Sequence, residues 1–320
     1  MVRTRLYRGG RLAAEDFPLA EVSEHLKNPD AVVWVDLRGP TEADIAGIAE
    51  ELGLHRLAVE DAIHDRHQRT KLDRYDSHLF LVGYVVRESG GDLAVSELAA
   101  FITDRALVTV HRDDHIGLDD ILRRWDSATE RDGVAFLVHG LLDHIVDSQF
   151  AAAQDLDDQI ESIEDLMFAE RPSDRDIQRR ALRLRKSLTR LRRVVLPMRE
   201  LVDDLRDPDH GLAGGTLGPY FQDVYDNVRR TTERLQGLRE LVATLRETQV
   251  NIQNNRLNAI MKKVTSWAAI IAVPTAVTGF YGQNLPYPGA EQMSGFWTST
   301  AVIVLASGGL YWLFKRRDWL

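Results

Sequence analysis

The rhythm of hydrophobic and polar positions changes along the chain. Up to about residue 132, short apolar runs alternate with helix-like segments. Residues 31–37 (AVVWVDL) read as a buried strand, and 78–86, 93–103 and 106–110 as further strands, with Gly90-Gly91 turning between two of them. Thr41 is placed to cap a helix opening on Glu42 and Asp44, acids suited to the positive end of the helix dipole. From about Gly133 the strand signal ends. Residues 134–170 and 173–202 read as two long helices joined at Arg171-Pro172. The first is acidic on its exposed positions (Asp155, Asp157, Asp158, Glu161, Glu164, Asp165). The second is basic (Arg179, Arg180, Arg183, Arg185, Lys186, Arg190, Arg192, Arg193). An antiparallel hairpin with complementary charged faces is the expectation, compatible with a cation-attracting acidic surface.

The C-terminal part is apolar. Residues 264–281 and 296–314 carry no charge, and each run is near the ~20 residues that cross a bilayer core. Arg256, Lys262 and Lys263 precede the first run and Lys315, Arg316 and Arg317 follow the second, while the connecting loop holds one acid, Glu291, and no base. Positive flanks stay inside, so both termini are expected to be cytoplasmic. Trp267, Tyr281, Tyr287, Trp297, Tyr311 and Trp312 sit near the span ends, where aromatic belts lie.

A Gly-rich break precedes Pro219, a residue suited to the first turn of a helix, and no strong breaker follows until Pro274. A helix from 219 to 279 would run for about 90 Å. Such a helix needs partners for its apolar positions, which points to an oligomeric bundle. At its end, spacings of three and four put Asn251, Asn254, Asn258, Met261, Thr265, Ala268, Ala272, Thr275 and Gly279 on one stripe, polar or small throughout. Close packing of membrane helices accounts for Ala268, Ala272 and Gly279. The asparagines fit better as neutral oxygens along an ion path. Mg²⁺ holds its water shell tightly, so a pore can contact that shell through the oxygens of Asn258, Thr275 and Asn284. The stripe has no carboxylate, imidazole or thiolate for tight transition-metal binding.

Composition sharpens this picture by exclusion. Charged residues make up 28% of the chain and mean hydropathy is -0.25, an average that hides the apolar end. The net charge of -9 argues against a nucleic-acid partner. With no cysteine there is no disulfide or thiolate site. The start, MVRTRLYRGGR, lacks the apolar core of a signal peptide and reads as a basic lead into a cytosolic domain. His64 and His67, with Asp61 and Asp65, form a weak metal-site candidate, outweighed by the reading as surface histidines in a polar segment. No phosphate-binding loop or hydrolase motif is present, and no catalysis is expected.

The segments MKKVT (261–265), Pro274, FYGQN (280–284), the tail FKRRDWL, PYFQDVYD (219–226) and VEDAIHDRHQRTKLD (59–73) together resemble the CorA family of magnesium and divalent-cation channels. The resemblance implies an α+β cytoplasmic domain (1–132), a helical hairpin (133–210), a stalk and pore helix (211–281), an external loop (282–295), a second span (296–314) and a basic tail (315–320). It implies a funnel-shaped homopentamer in the plasma (inner) membrane, with Mg²⁺ as transported and regulatory ion and Co²⁺ or Ni²⁺ as further cargo. Gly282, Gln283 and Asn284 then stand at the Gly-Met-Asn signature, with Asn284 holding the hydrated ion and Gly282 allowing the turn. Asn258, Met261, Val264 and Thr275 match pore positions, Met261 and Val264 in a hydrophobic gate. Asp223 matches a carboxylate of the regulatory site, with Glu88 or Asp92 as its partner acid. Gln283 and the segment after it depart from the family pattern, which keeps a zinc transporter of the ZntB branch, proton-coupled in one form, as the alternative. A membrane-anchored scaffold without conduction is the reading from another class.

Overall fold

The computed structural model describes residues 1–63, 68–113, 116–127, 133–169, 173–207, 210–283 and 292–320. They divide into two compact units, Met1–Ala243 and Thr244–Leu320.

The first unit is built on a seven-stranded sheet in the order β2-β1-β3-β7-β6-β5-β4. The strands are β1 (Val2–Arg8), β2 (Arg11–Glu15), β3 (Ala31–Arg38), β4 (Lys71–Arg74), β5 (Leu79–Ser89), β6 (Asp92–Ile102) and β7 (Ala106–His111). Only β3 and β7 pair in parallel; the other neighbours are antiparallel. Every residue of β7 is buried, as is β5 from Leu79 to Val86, because both faces of the sheet are covered. On one face, Trp34, Leu81, Val85, Leu98 and Leu107 join a core with α4 (Leu118–Ser127), α5 (Gly133–Phe168), α6 (Asp174–Leu205) and the start of α7 (Gly218–Tyr281). The alternate residues, such as Phe80 and Phe101 with ring centroids 4.9 Å apart, point to the opposite face. The short helices α1 (Val22–His25), α2 (Glu42–Leu52) and α3 (Arg56–Ile63) complete the unit, with Val22, Ile45, Ile48 and Ala58 buried.

Local chemistry explains the element ends. Thr41 and Asp44 form a reciprocal cap on α2, with Asp44 N donating to Thr41 Oγ1 (3.2 Å) and Thr41 N to Asp44 Oδ2 (2.9 Å). The Thr41 N–H and the Thr41 hydroxyl (2.8 Å), both donating to the Asp44 carboxylate, hold Asp44 below the usual aspartate range. Gly53 ends the helix in the left-handed conformation (φ 64°). Gly83 lets α5 approach the sheet, since a Cβ there would lie 3.0 Å from Ile145 Cδ1.

The structure adds a hairpin, a strand and a helix to the expected elements and changes what holds the helical hairpin together. The basic N-terminal segment is the hairpin β1–β2, whose Thr4 and Leu6 are buried while Arg3 and Arg5 pair with Asp119 and Asp126 of α4. The strand β4 and the helix α4 carried no expectation at all. The α5–α6 hairpin is held by apolar side chains, Ile160 and Ile163 on α5 and Leu184, Leu188 and Leu191 on α6, all buried. Among the described residues no ion pair joins its charged faces: Asp157 pairs with Arg234 of α7, and Arg180 donates to Ser162 Oγ. The expected joint at Arg171-Pro172 lies outside the described residues.

The second unit holds the remainder of α7 and α8 (Met293–Arg316). α7 is continuous for 64 residues with Pro274 inside it.

A methyl group at Gly140 would collide with the indole nitrogen of Trp125, which is 2% exposed and packed edge-on against Trp34. Gly140→Ala should therefore destabilise the first unit by ~1–3 kcal/mol, as overpacking does. Gly47→Ala, in α2 with open space around it, should be neutral or raise stability by ~0.5–1 kcal/mol. Thermal unfolding followed by tryptophan fluorescence measures both.

Candidate ion pathway

Two helices of the second unit are long and apolar enough to cross a membrane, and their apolar windows are almost wholly exposed. That exposure separates them from the core helices of a soluble protein, which bury such windows. Trp267, Ile271, Val304 and Leu305 are among the large apolar side chains left uncovered. A surface of this kind fits lipid.

Within the apolar stretch of α7 the residues withdrawn from solvent include Ser266, Ala269, Ile270, Val273, Pro274 and Val277. On α8 they include Gly295, Ser299, Thr300, Ile303, Ala306, Ser307, Leu310 and Phe314. Both sets follow helical spacing, as expected for one face of each helix within the same unit. At 3.6 residues per turn, Ala268, Ala272, Thr275 and Gly279 lie on the side of α7 opposite its covered face. Asn251, Asn254, Asn258, Thr265 and these four are exposed, as are Met261 (65%) and Val264 (63%). The stripe read in the sequence is thus a face of α7 that its own unit leaves open. Three hydroxyls of the first span bond back along their own helix: Ser266 Oγ donates to Lys262 O (2.7 Å), Thr275 Oγ1 to Ile271 O (3.1 Å) and Thr278 Oγ1 to Pro274 O (2.8 Å). Each keeps acceptor capacity toward a water molecule.

At the end of α7, Gly282 N donates to Thr278 O (2.9 Å), and a Cβ at Gly282 would lie 3.0 Å from that oxygen. Glycine is needed there for close approach, without a left-handed conformation. Gln283 is exposed. Asn284, Tyr287 and Glu291 lie outside the described residues. The basic flanks rest on aromatic rings: Lys262 on Trp319, Lys315 on Tyr311 and Arg316 on Trp312, at 6.0, 5.8 and 5.3 Å from the ring centroids.

A second feature lies in the first unit. Glu88, His139, Asp143, His144, Asp147 and Asp155 line a cavity of about 520 Å³ between β5 and α5. His139, Asp143, Asp147 and Asp155 recur at multiples of four residues, a signal in the sequence that went unread. Burial pushes the Asp155 carboxyl up, and the charges of Glu88 and Asp158 push it further. Burial also pulls His139 down, against the opposing charges of Asp143 and Asp223. Carboxylates that disfavour one another's ionisation gain from a bound cation. Of the candidate regulatory acids, Glu88 reaches this cavity and Asp223 lies beside His139, while Asp92 is exposed at the β5–β6 turn. Glu88 Oε1 accepts from Gly91 N (2.6 Å). Among the described residues, no three of His, Asp or Glu converge closely enough to hold a metal. His64 and His67, with Asp65, lie outside the described residues.

Comparison with known proteins converges on one family. Residues 29–316 match the CorA-like Mg²⁺ transporter protein family. The chain is 25% identical over 294 residues to the cobalt/magnesium transport protein CorA of Thermotoga maritima, covering 90% of this chain and 83% of that protein. It is 29% identical over 237 residues to the zinc transport protein ZntB of Pectobacterium atrosepticum, covering 69% and 67%. Its fold matches the complete structure of the CorA magnesium transporter from Methanocaldococcus jannaschii with a TM-score of 0.81 and 20% identity, over 99% of this chain and 98% of that one. With a mixed α/β unit, long helices and two exposed apolar helices at its C-terminal end, the chain belongs to the CorA-like Mg²⁺ transporter family, a family of divalent metal ion transporters.

Proposed function

We propose that this chain is one subunit of a homopentameric channel that admits hydrated divalent cations, Mg²⁺ foremost and Co²⁺ or Ni²⁺ besides. The observation that carries the reading is the open polar and small face of α7, from Asn251 to Gly279, set opposite the side covered within its unit. In a ring of subunits this face lines the axis, and α8 lies outside it toward lipid. Amide and hydroxyl oxygens touch the ion's water shell and leave that shell in place, which suits an ion as reluctant to dehydrate as Mg²⁺. Met261 and Val264 form the apolar constriction, and Gly282, Gln283 and Asn284 the outer mouth. The basic flanks keep both termini on the cytoplasmic side of the plasma membrane, and the inside-negative potential draws cations inward.

The acidic cavity supports a regulatory role for the same ion. Glu88 lines the cavity and Asp223 acts on its His139, and among the described residues one chain brings no three such ligands together. A neighbouring subunit completes the set, so intracellular Mg²⁺ holds subunits together and the pore shut. Zinc as cargo is the second reading, favoured by Gln283 and the likeness to ZntB.

Purified protein in liposomes separates these readings. Voltage-driven Mg²⁺ influx without a pH gradient is expected, reduced on the order of tenfold or more by Asn284→Ala, as the loss of a contact worth ~1.4 kcal/mol requires. Zn²⁺ flux that needs a proton gradient would favour the zinc reading, and no flux of any ion would leave a non-conducting scaffold. Mg²⁺ should also protect the first unit from trypsin, and Asp223→Asn should raise the Mg²⁺ concentration needed by about tenfold. Unchanged protection in that variant removes Asp223 from the regulatory site.

A further inference from the structure

The charged faces of the α5–α6 hairpin are left without partners of opposite sign. On α6, Arg179, Arg183, Lys186, Arg190 and Arg193 follow steps of four, three, four and three, so they form one row, and all are exposed. On α5, Asp158, Glu161 and Asp165 follow steps of three and four and are exposed as well. Within the chain no ion pair joins either row to anything else among the described residues; the pair Asp157–Arg234 and the bond from Arg180 to Ser162 lie beside them. Like charges three and four residues apart on a helix repel, so each row gains from an opposite row brought from outside.

We propose that the basic row of α6 docks on the acidic row of α5 in the neighbouring copy of this chain. The proposal rests on the oligomeric reading above and adds to it the surface by which the hairpins meet. Charge complementarity selects the occupant. The chain's net charge of -9 gives no general affinity for polyanions, whereas each copy carries one row of each sign. The basic row spans about 21 Å from Arg179 to Arg193 and the acidic row about 10 Å from Asp158 to Asp165, so the acidic row faces the middle of the basic one. Two different patches meeting head to tail repeat from copy to copy until the rotation closes, which is the contact a ring needs. Exposed pairs of this kind add little affinity singly; their work is to set register and to reject wrong neighbours.

The chain has no cysteine, so single thiols can be introduced cleanly. Glu161→Cys and Lys186→Cys, at the middle of the two rows, are placed in differently tagged full-length copies, co-expressed in membranes and oxidised. A product joining the two tags is expected, well above that from either variant alone. The mass of the unoxidised assembly is measured in parallel. An intact oligomer without the mixed product overturns this proposal and leaves the oligomeric reading standing, whereas a monomeric mass overturns both. A Lys186-to-Lys186 product would show an isologous contact and also overturn it. In a second measurement, Arg183→Glu, Lys186→Glu and Arg190→Glu together should reduce the oligomer fraction at low salt. Adding Asp158→Lys, Glu161→Lys and Asp165→Lys should restore it. An unchanged oligomer that has lost binding to phosphatidylglycerol vesicles would assign the basic row to lipid instead.

Discussion

A helix that crosses hydrocarbon must satisfy every polar group from within or from a protein neighbour, because each one left bare costs several kcal/mol. In the second unit this constraint sorts the three sides of α7. The covered side meets its own unit through Ser266, Ile270, Val273 and Val277, and a second side carries large apolar groups such as Trp267 and Ile271. The third side carries Ala268, Ala272, Thr275 and Gly279, with the asparagines leading up to it. Small and polar groups gain little from lipid, so that side calls for other copies of the chain or for water. In the oligomer proposed above, the axis of a bundle would meet both demands, since small residues allow close approach and oxygens can face a narrow aqueous path.

The first unit meets a different requirement. Its sheet is closed on both faces by helices, and strands as fully buried as β5 and β7 give a rigid base for what lies on its surface. The acids of the cavity by β5 and α5 stand on that base. Burial above all, and the charges of Glu88 and Asp158 after it, raise the Asp155 carboxyl there.

Much of this was legible in the sequence. The central strands announced themselves as apolar runs between turn residues, α2 by its Thr41 cap, and the spans by their lack of charge between basic flanks. The hairpin β1–β2 was hidden by its arginines. Val2, Thr4 and Leu6 alternate with Arg3 and Arg5, but the charges drew attention from a period of two that only α4 explains, through Asp119 and Asp126. The charges of α5 and α6 misled in the opposite direction, since complementary rows on adjacent helices read as a mutual contact while apolar packing holds the pair together. The acidic cavity needed tertiary structure, because Glu88 comes to Asp155 only through the packing of β5 on α5. The open stripe of α7 was readable as one face because it depends on helical spacing alone.

The claim on which the account depends is that this stripe faces water along an axis. Single cysteines placed in turn from 251 to 279 of the cysteine-free chain, probed with a water-soluble, membrane-impermeant thiol reagent in the assembled protein, test it most directly. The account predicts modification that peaks at 251, 254, 258, 261, 265, 268, 272, 275 and 279 and is protected by excess Mg²⁺, with 267 and 271 unreactive in lipid. Reactivity that peaks on the face of Trp267 and Ile271, or that shows no helical period, would contradict it.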